Sequence, residues 1–183
     1  DFAGHEGEIK SRVGYVPGEF VYYPRKKLGA IVDVTRHFYP NWDEAAYRRC
    51  LERFSLEEGK TVSQLSAGMK VKFALTLALS HRAELLLLDE PTSGLDPVSR
   101  EELLEEFLRL SREEGVTILF STHITSDLDR CADEILYLRK GRLAERGCRE
   151  ELVDRYRLVT AKEKPENSLG ACPTADGWTA LYH

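Results

Sequence analysis

The chain has 183 residues, 42% of them apolar and 31% charged, and a net charge of −5 with acids and bases interleaved. That is the make-up of one ordinary globular domain with chain enough for a real core. No basic stripe suits a nucleic acid, no run approaches the roughly 18 apolar residues of a membrane span, and residues 1–20 are too polar for a signal peptide. Cys50, Cys131, Cys148 and Cys172 form no close pairs, so no zinc site is expected and reduced thiols are the default.

In chain order, the polar stretch Asp1 to Arg12 shows no strand of its own. Val13–Val16 reads as a short strand closed by Pro17-Gly18, and Phe20, Tyr22 and Tyr23 mark an aromatic loop. Residues 26–38 predict a helix with Leu28, Ile31, Val32 and Thr35 on one face, broken at Pro40-Asn41-Trp42. Asp43 caps a second helix, whose stripe of Ala46, Tyr47, Cys50, Leu51 and Phe54 reads as core packing. Leu56 to Gln64 reads as a polar connection. Ser66 then caps a helix from about Ala67 to Ser80.

Leu85–Leu88 is apolar on both faces, the pattern of a central strand in a parallel sheet covered by helices. Asp96-Pro97 starts a helix, with an acid at the N-cap and proline at the first position. It runs to about Glu114 with Leu103, Leu104, Phe107, Leu108 and Leu110 as its apolar face, and Gly115 stops it. Val116 to Ser121 is the next strand, followed by a short helix at about 125–131. Lys140-Gly141 is a hairpin turn between Glu134–Leu138 and Arg142–Glu145. Glu150 to Tyr156 predicts a last helix. From Thr160 onward the composition predicts a poorly ordered or loosely docked tail. The alternation predicts an α/β fold with a largely parallel sheet and an all-helical insertion.

Four places carry chemistry. The leucine strand ends in Asp89 and Glu90, and open α/β sheets collect ligands at the carboxyl ends of their strands. One acid can face a magnesium ion while its neighbour orients an attacking water, although Asp-Glu alone equally fits a polar loop after a core strand. Leu65-Ser66-Ala67-Gly68-Met69 opens a helix with a hydroxyl, a close-approach glycine and a set of amide N–H groups, which suits an anion and also suits an ordinary capped helix. Ser93-Gly94-Leu95-Asp96 is a tight turn in which Asp96 also serves as the N-cap. His123 ends the strand in Phe120-Ser121-Thr122-His123, at the same expected edge as the acids.

Taken together, these residues resemble the nucleotide-binding domain of ATP-binding cassette (ABC) transporters. Leu65–Met69 matches the family's signature Leu-Ser-Gly-Gly-Gln, with Ala67 and Met69 as tolerated variations. Leu85–Asp89 matches the Walker B strand, Glu90 the catalytic glutamate, Ser93–Asp96 the D-loop and His123 the switch histidine. The match spans about residues 10–150. Phe-Tyr-Pro-Asn-Trp-Asp and Ser-Thr-His-Ile-Thr-Ser-Asp-Leu-Asp look like a bacterial subgroup of drug and peptide-antibiotic exporters that works with separate membrane subunits.

The resemblance implies a P-loop NTPase-like, RecA-like core with an inserted helical subdomain, incomplete at the amino end. It divides the chain into residues 1–24 (core and Q-loop), 25–82 (helical subdomain), 83–158 (core) and 159–183 (tail). It implies ATP and Mg2+ as ligands. Glu90 and His123 would be catalytic, Asp89 a metal ligand, and Leu65, Ser66, Ala67, Gly68, Met69 and Asp96 nucleotide-binding or dimer contacts. The implied partners are a membrane permease subunit and a second nucleotide-binding domain in a head-to-tail dimer, with a cytoplasmic location at the inner face of the membrane.

The sequence departs from the family pattern twice. It contains no Gly-x-x-x-x-Gly-Lys-Ser/Thr, the loop that wraps phosphates in backbone amides. The chain therefore reads as the carboxyl-side portion of such a domain and is expected to be inactive alone. Where the family places the Q-loop glutamine stands Pro17-Gly18-Glu19, so Glu19 is either an oxygen ligand or a plain surface acid. Two rival readings are a non-catalytic partner lending its signature in trans and a soluble ABC protein without a membrane partner.

Overall fold

A computed structural model describes residues 4–18 and 23–182. The chain divides into two units, Asp1–Thr125 and Ser126–His183.

In the first unit, β1 (Val13–Val16), β2 (Leu85–Asp89) and β3 (Thr117–Ser121) form a parallel sheet in the order β1-β2-β3. The leucine strand is central, as its two-sided apolar pattern predicts. Leu86 pairs with Gly14 and Ile118, and Asp89 with Ser121, so the acid tip lies level with the end of β3. Val16, Leu86 and Leu88 are buried, whereas on the alternate face Tyr15 is 61% and Leu119 53% exposed. The second face of this sheet is therefore partly open among the described residues.

The helical insertion lies between β1 and β2. It comprises α2 (Leu28–Arg36), α3 (Glu44–Arg53) and α4 (Ala67–Ser80). Asp43 caps α3 by accepting from the Ala46 N–H at 3.0 Å. Leu56 to Gln64, expected as a polar connection, is a folded turn instead. Leu56 and Val62 are buried, and the Leu28 N–H donates to the Lys60 carbonyl at 2.9 Å. A 3-10 turn at Val62–Gln64 is closed by a reciprocal Thr61–Gln64 capping box. From Phe73 to Ser80 every residue of α4 is buried. The hydroxyls of Thr76 and Ser80 are satisfied by donating to the carbonyls of Lys72 and Thr76.

Helix α5 (Pro97–Glu114) joins β2 to β3 and buries Leu103, Leu104, Phe107 and Leu110. Ahead of β1, in the stretch read as having no strand of its own, Glu6–Ser11 forms a six-residue helix, α1, with no buried residue. Its signals are local: acids in the first turn, Lys10 in the last and a Lys10–Glu6 ion pair.

After α6 (Thr125–Cys131), the second unit opens with the antiparallel hairpin β4 (Ile135–Arg139) and β5 (Arg142–Gly147). Lys140 and Gly141 both take positive φ, 49° and 73°, the geometry of a type I′ turn. Helix α7 (Arg149–Arg155) follows. The expected loose tail is instead an antiparallel sheet of β6 (Arg157–Ala161), β8 (Gly177–Tyr182) and β7 (Gly170–Thr174) in that order. Composition misses it because its cohesion comes from cross-strand pairs such as Val159–Ala180–Ala171. All four cysteines are free thiols.

Candidate functional site

The carboxyl edge of the first sheet brings the predicted acids and the histidine together. The Asp89–Ser121 pairing sets the register, and Ser121 is the hub. Its Oγ accepts from the Glu90 N–H at 3.0 Å and donates to Asp89 Oδ1 at 2.7 Å. One hydroxyl thus serves as acceptor for the second acid's backbone and donor to the first acid's side chain. No separate role attaches to Ser121 in the sequence. The signal was its place at the end of the strand that pairs with the acid strand.

Glu90 takes φ 46°, a left-handed conformation costly for a side chain of this kind. The strain is held between the Ser121 bond and a tight turn in which the Ser93 N–H donates to the Glu90 carbonyl at 3.0 Å. Strain of that sort is characteristic of sites where a side chain must be aimed. His123 Nδ1 lies 2.8 Å from Glu90 Oε2. A contact at this distance between a ring nitrogen and a carboxylate oxygen is a hydrogen bond in which the nitrogen donates and the carboxylate accepts. The His123 side chain is 71% exposed and Glu90 33%. The pair stands open to a ligand yet is internally bonded.

Gly18 closes this edge from the β1 side. A Cβ built there would lie 2.9 Å from the Asp89 carbonyl oxygen and 3.4 Å from Asp89 Oδ2. Only a residue without a side chain brings the segment after β1 so near the acid. Glu19, the expected oxygen ligand, lies outside the described residues, as do Phe20 and Tyr22.

As a test of fit to magnesium, the edge offers the Asp89 carboxylate, whose second oxygen is not used by Ser121, and the neighbouring Glu90. No group of three or more His, Cys, Asp or Glu side chains converges among the described residues. A hard cation that keeps waters and takes one or two carboxylates plus phosphate oxygens suits such a donor set. A dedicated all-protein cage would need more ligands.

The signature stretch sits at the amino end of α4. Ser66 Oγ accepts from the Met69 N–H at 3.2 Å. Ser66 and Ala67 are exposed, Met69 is half-buried, and Leu65 and Gly68 are buried. The cap is therefore not sealed by apolar packing. A Cβ on Gly68 would lie 3.2 Å from Ser99 Cβ, so the first turns of α4 and α5 run against each other. At the start of α5, Asp96 Oδ1 accepts from the N–H groups of Val98 and Ser99 at 3.1 and 3.0 Å. Hydrogen bonds from the Ser99 side chain and backbone hold the Asp96 carboxyl below its ordinary range.

Residues 31–128 match the family described as "AAA domain, putative AbiEii toxin, Type IV TA system". The ABC transporter ATP-binding protein YtrB of Bacillus subtilis (strain 168) is 30% identical over 81% of this chain and 51% of its own. The bacitracin transport ATP-binding protein BcrA of Enterococcus faecalis is 36% identical over 63% of this chain and 37% of its own. The chain thus spans about half or less of the length of these relatives. Among solved structures, one described as an ATP-binding subunit of an ABC transporter superposes with a TM-score of 0.69 at 27% identity, covering 84% of this chain and 65% of that one. The dimeric cassette MJ0796, bound to ADP and phosphate, superposes with a TM-score of 0.67 at 22% identity over 81% and 67%, a likeness of fold. With residues 31–128 matched by the AAA-domain family and ABC transporter ATP-binding proteins and structures among its relatives, the chain belongs to the ABC-type nucleotide-binding domains, on a P-loop NTPase fold.

Proposed function

We propose that this chain provides the Walker B, D-loop, switch and signature parts of an ATP-binding subunit of an ABC transporter, which couples ATP hydrolysis to transport through separate membrane subunits. The observation that carries the reading is the Glu90–His123 pair, 2.8 Å apart, at the same sheet edge as Asp89. The names of the relatives, transport ATP-binding proteins, support it.

In this mechanism Glu90 polarises the water that attacks the γ-phosphate, its carboxylate held in a strained turn so that it does not swing away. His123, protonated at Nδ1 toward Glu90, offers its other ring nitrogen to the γ-phosphate or the water and keeps the pair aligned. Magnesium, held by Asp89 with Glu19 as a further oxygen ligand, would neutralise charge on the phosphates. Ser66 and Gly68 present the amino end of α4 to a nucleotide bound mainly by a second domain in a head-to-tail dimer, and Asp96 communicates across that dimer. The exposed Tyr23, Val34 and Phe38 suit docking of the helical insertion to a membrane subunit on the cytoplasmic side. No helix among the described residues is long and apolar enough to cross a membrane. A role as a non-catalytic partner lending its signature in trans draws on the open Ser66 cap.

A phosphate-release assay with magnesium and ATP tests the reading. Residues 1–183 alone are expected to turn over no ATP, because they contain no Gly-x-x-x-x-Gly-Lys-Ser/Thr loop. Joined to a segment that carries this loop, the same chain is expected to hydrolyse ATP. Robust turnover by the chain alone, abolished by Glu90→Gln, would show that the loop is dispensable. No turnover by the joined protein sinks the catalytic reading.

A further inference from the structure

Helix α5 carries three polar residues on one face at i, i+3 and i+7: Ser99, Glu102 and Glu106. Each meets the helical insertion. Ser99 abuts Gly68 in the first turn of α4, with 3.2 Å between Ser99 Cβ and a Cβ built at 68. Glu102 Oε2 accepts from Lys72 Nζ at 2.7 Å, one turn further along α4. Glu106 Oε1 accepts from Arg53 Nη1 on α3 at 3.2 Å. Glu106 is almost wholly buried, with its side chain 10% exposed, and it is clamped from its own helix by Arg109, whose Nη2 and Nε donate at 2.7 and 3.1 Å. Glu114 closes the cluster, accepting from Arg109 Nη1 at 2.7 Å and Arg53 Nη1 at 3.5 Å. Burial alone would raise the Glu114 carboxyl, but the two arginines more than reverse this and leave it below its ordinary range.

We propose that this polar stripe holds the signature segment in register with the acid edge, and that Lys72, Glu102, Arg53 and Glu106 are positioning residues for nucleotide hydrolysis. The proposal rests on the nucleotide reading above and adds the residues that fix, within one chain, the spacing between its acid edge and the signature segment it presents to the second domain. The connection runs through the tight turn in which the Ser93 N–H donates to the Glu90 carbonyl and through the Asp96 cap that takes the Ser99 N–H, and it ends in the close approach of Ser99 to Gly68. Ion pairs suit this duty better than an apolar seam. They add little net stability but specify one arrangement, because an alternative register leaves a buried charge unpaired. The same stripe explains the glycine at 68, since a side chain there would press α4 away from Ser99.

Charge exchange at Lys72 and Glu102 tests the proposal in the 183-residue chain. Hydrogen exchange is read at the Met69 and Lys70 amides, which bond Ser66 Oγ and the Ser66 carbonyl. Lys72→Glu and Glu102→Lys are each expected to speed exchange at these two amides about tenfold, with the slowest core amides unchanged, and the double exchange is expected to restore the rates. In the chain joined to a phosphate-binding segment, the single variants are expected to lower kcat about tenfold with KM for ATP within twofold, again with recovery in the double variant. Unchanged local exchange, or a rise spread evenly over the chain, overturns the proposal, as does a single variant with full kcat. A joined wild-type protein with no turnover counts against the nucleotide reading, while the amide rates still decide the stripe.

Discussion

Two helix amino ends lie side by side in this molecule and are capped differently. Helix α5 is capped by a carboxylate: Asp96 takes two N–H groups, and hydrogen bonds from the Ser99 side chain and backbone hold its carboxyl below the ordinary range, which favours the anion at the positive end of the helix. Helix α4 is capped by a hydroxyl, Ser66, which takes one N–H and brings no charge. The first end already holds its own counter-charge, and the second keeps its dipole unanswered. The difference is why the proposed phosphate contact is assigned to α4 and not to α5, a distinction that propensity scales do not draw because serine and aspartate cap about equally well.

That contrast can be broken at the acid edge first, where the largest effect is expected. In the chain joined to a phosphate-binding loop, Glu90→Gln should cut kcat by about 10²- to 10⁴-fold while leaving the thermal midpoint nearly unchanged. A loss below about threefold would take Glu90 out of the chemistry. The comparison is sharpened by Ser66→Asp. Helix capping should be retained, since both residues cap well, yet the new carboxylate should weaken binding to an ATP-loaded second cassette at least about tenfold through charge repulsion. Intact binding would mean that the amino end of α4 does not face phosphate.

The smallest effect concerns His81 at the far end of α4. It is buried, stacked on Tyr39 with ring centroids 3.9 Å apart, and bonded to the Ser11 carbonyl at 3.1 Å. Burial pushes its pKa below the ordinary 6.5. The folded state therefore binds the proton less readily than the unfolded chain. The stabilising contribution is complete above pH 6.5 and is lost as pH falls through the depressed folded value. Melting curves from pH 7.5 downward should show a decline below about pH 6.5 that His81→Phe flattens. Equal slopes for the two proteins would remove His81 as its source.

Much of the first unit was legible in the sequence because its signals are local and strong. Ser66 before an apolar helix and Asp96-Pro97 before another place both helices to the residue. The four leucines identify the central strand, and the acids and His123 fall at its carboxyl edge. The Ser121 bridge was not legible, since it depends on a cross-strand register that opposes Asp89. Glu106 was hidden for the opposite reason. A glutamate on an amphipathic helix reads as solvent-facing, and only the positions of Arg53 and Arg109 explain why it is buried. In the second unit Pro, Asn and Ser in the tail masked strands held together by pairing with one another.

The open face of the first sheet has a practical consequence. Tyr15 and Leu119 stand in solvent on strands whose other face is core, and β3 borders the sheet among the described residues. A bare strand margin with an oily surface is an invitation to other chains. Light scattering from the isolated polypeptide should therefore climb with concentration, and replacing Leu119 with lysine should keep more of the preparation dispersed.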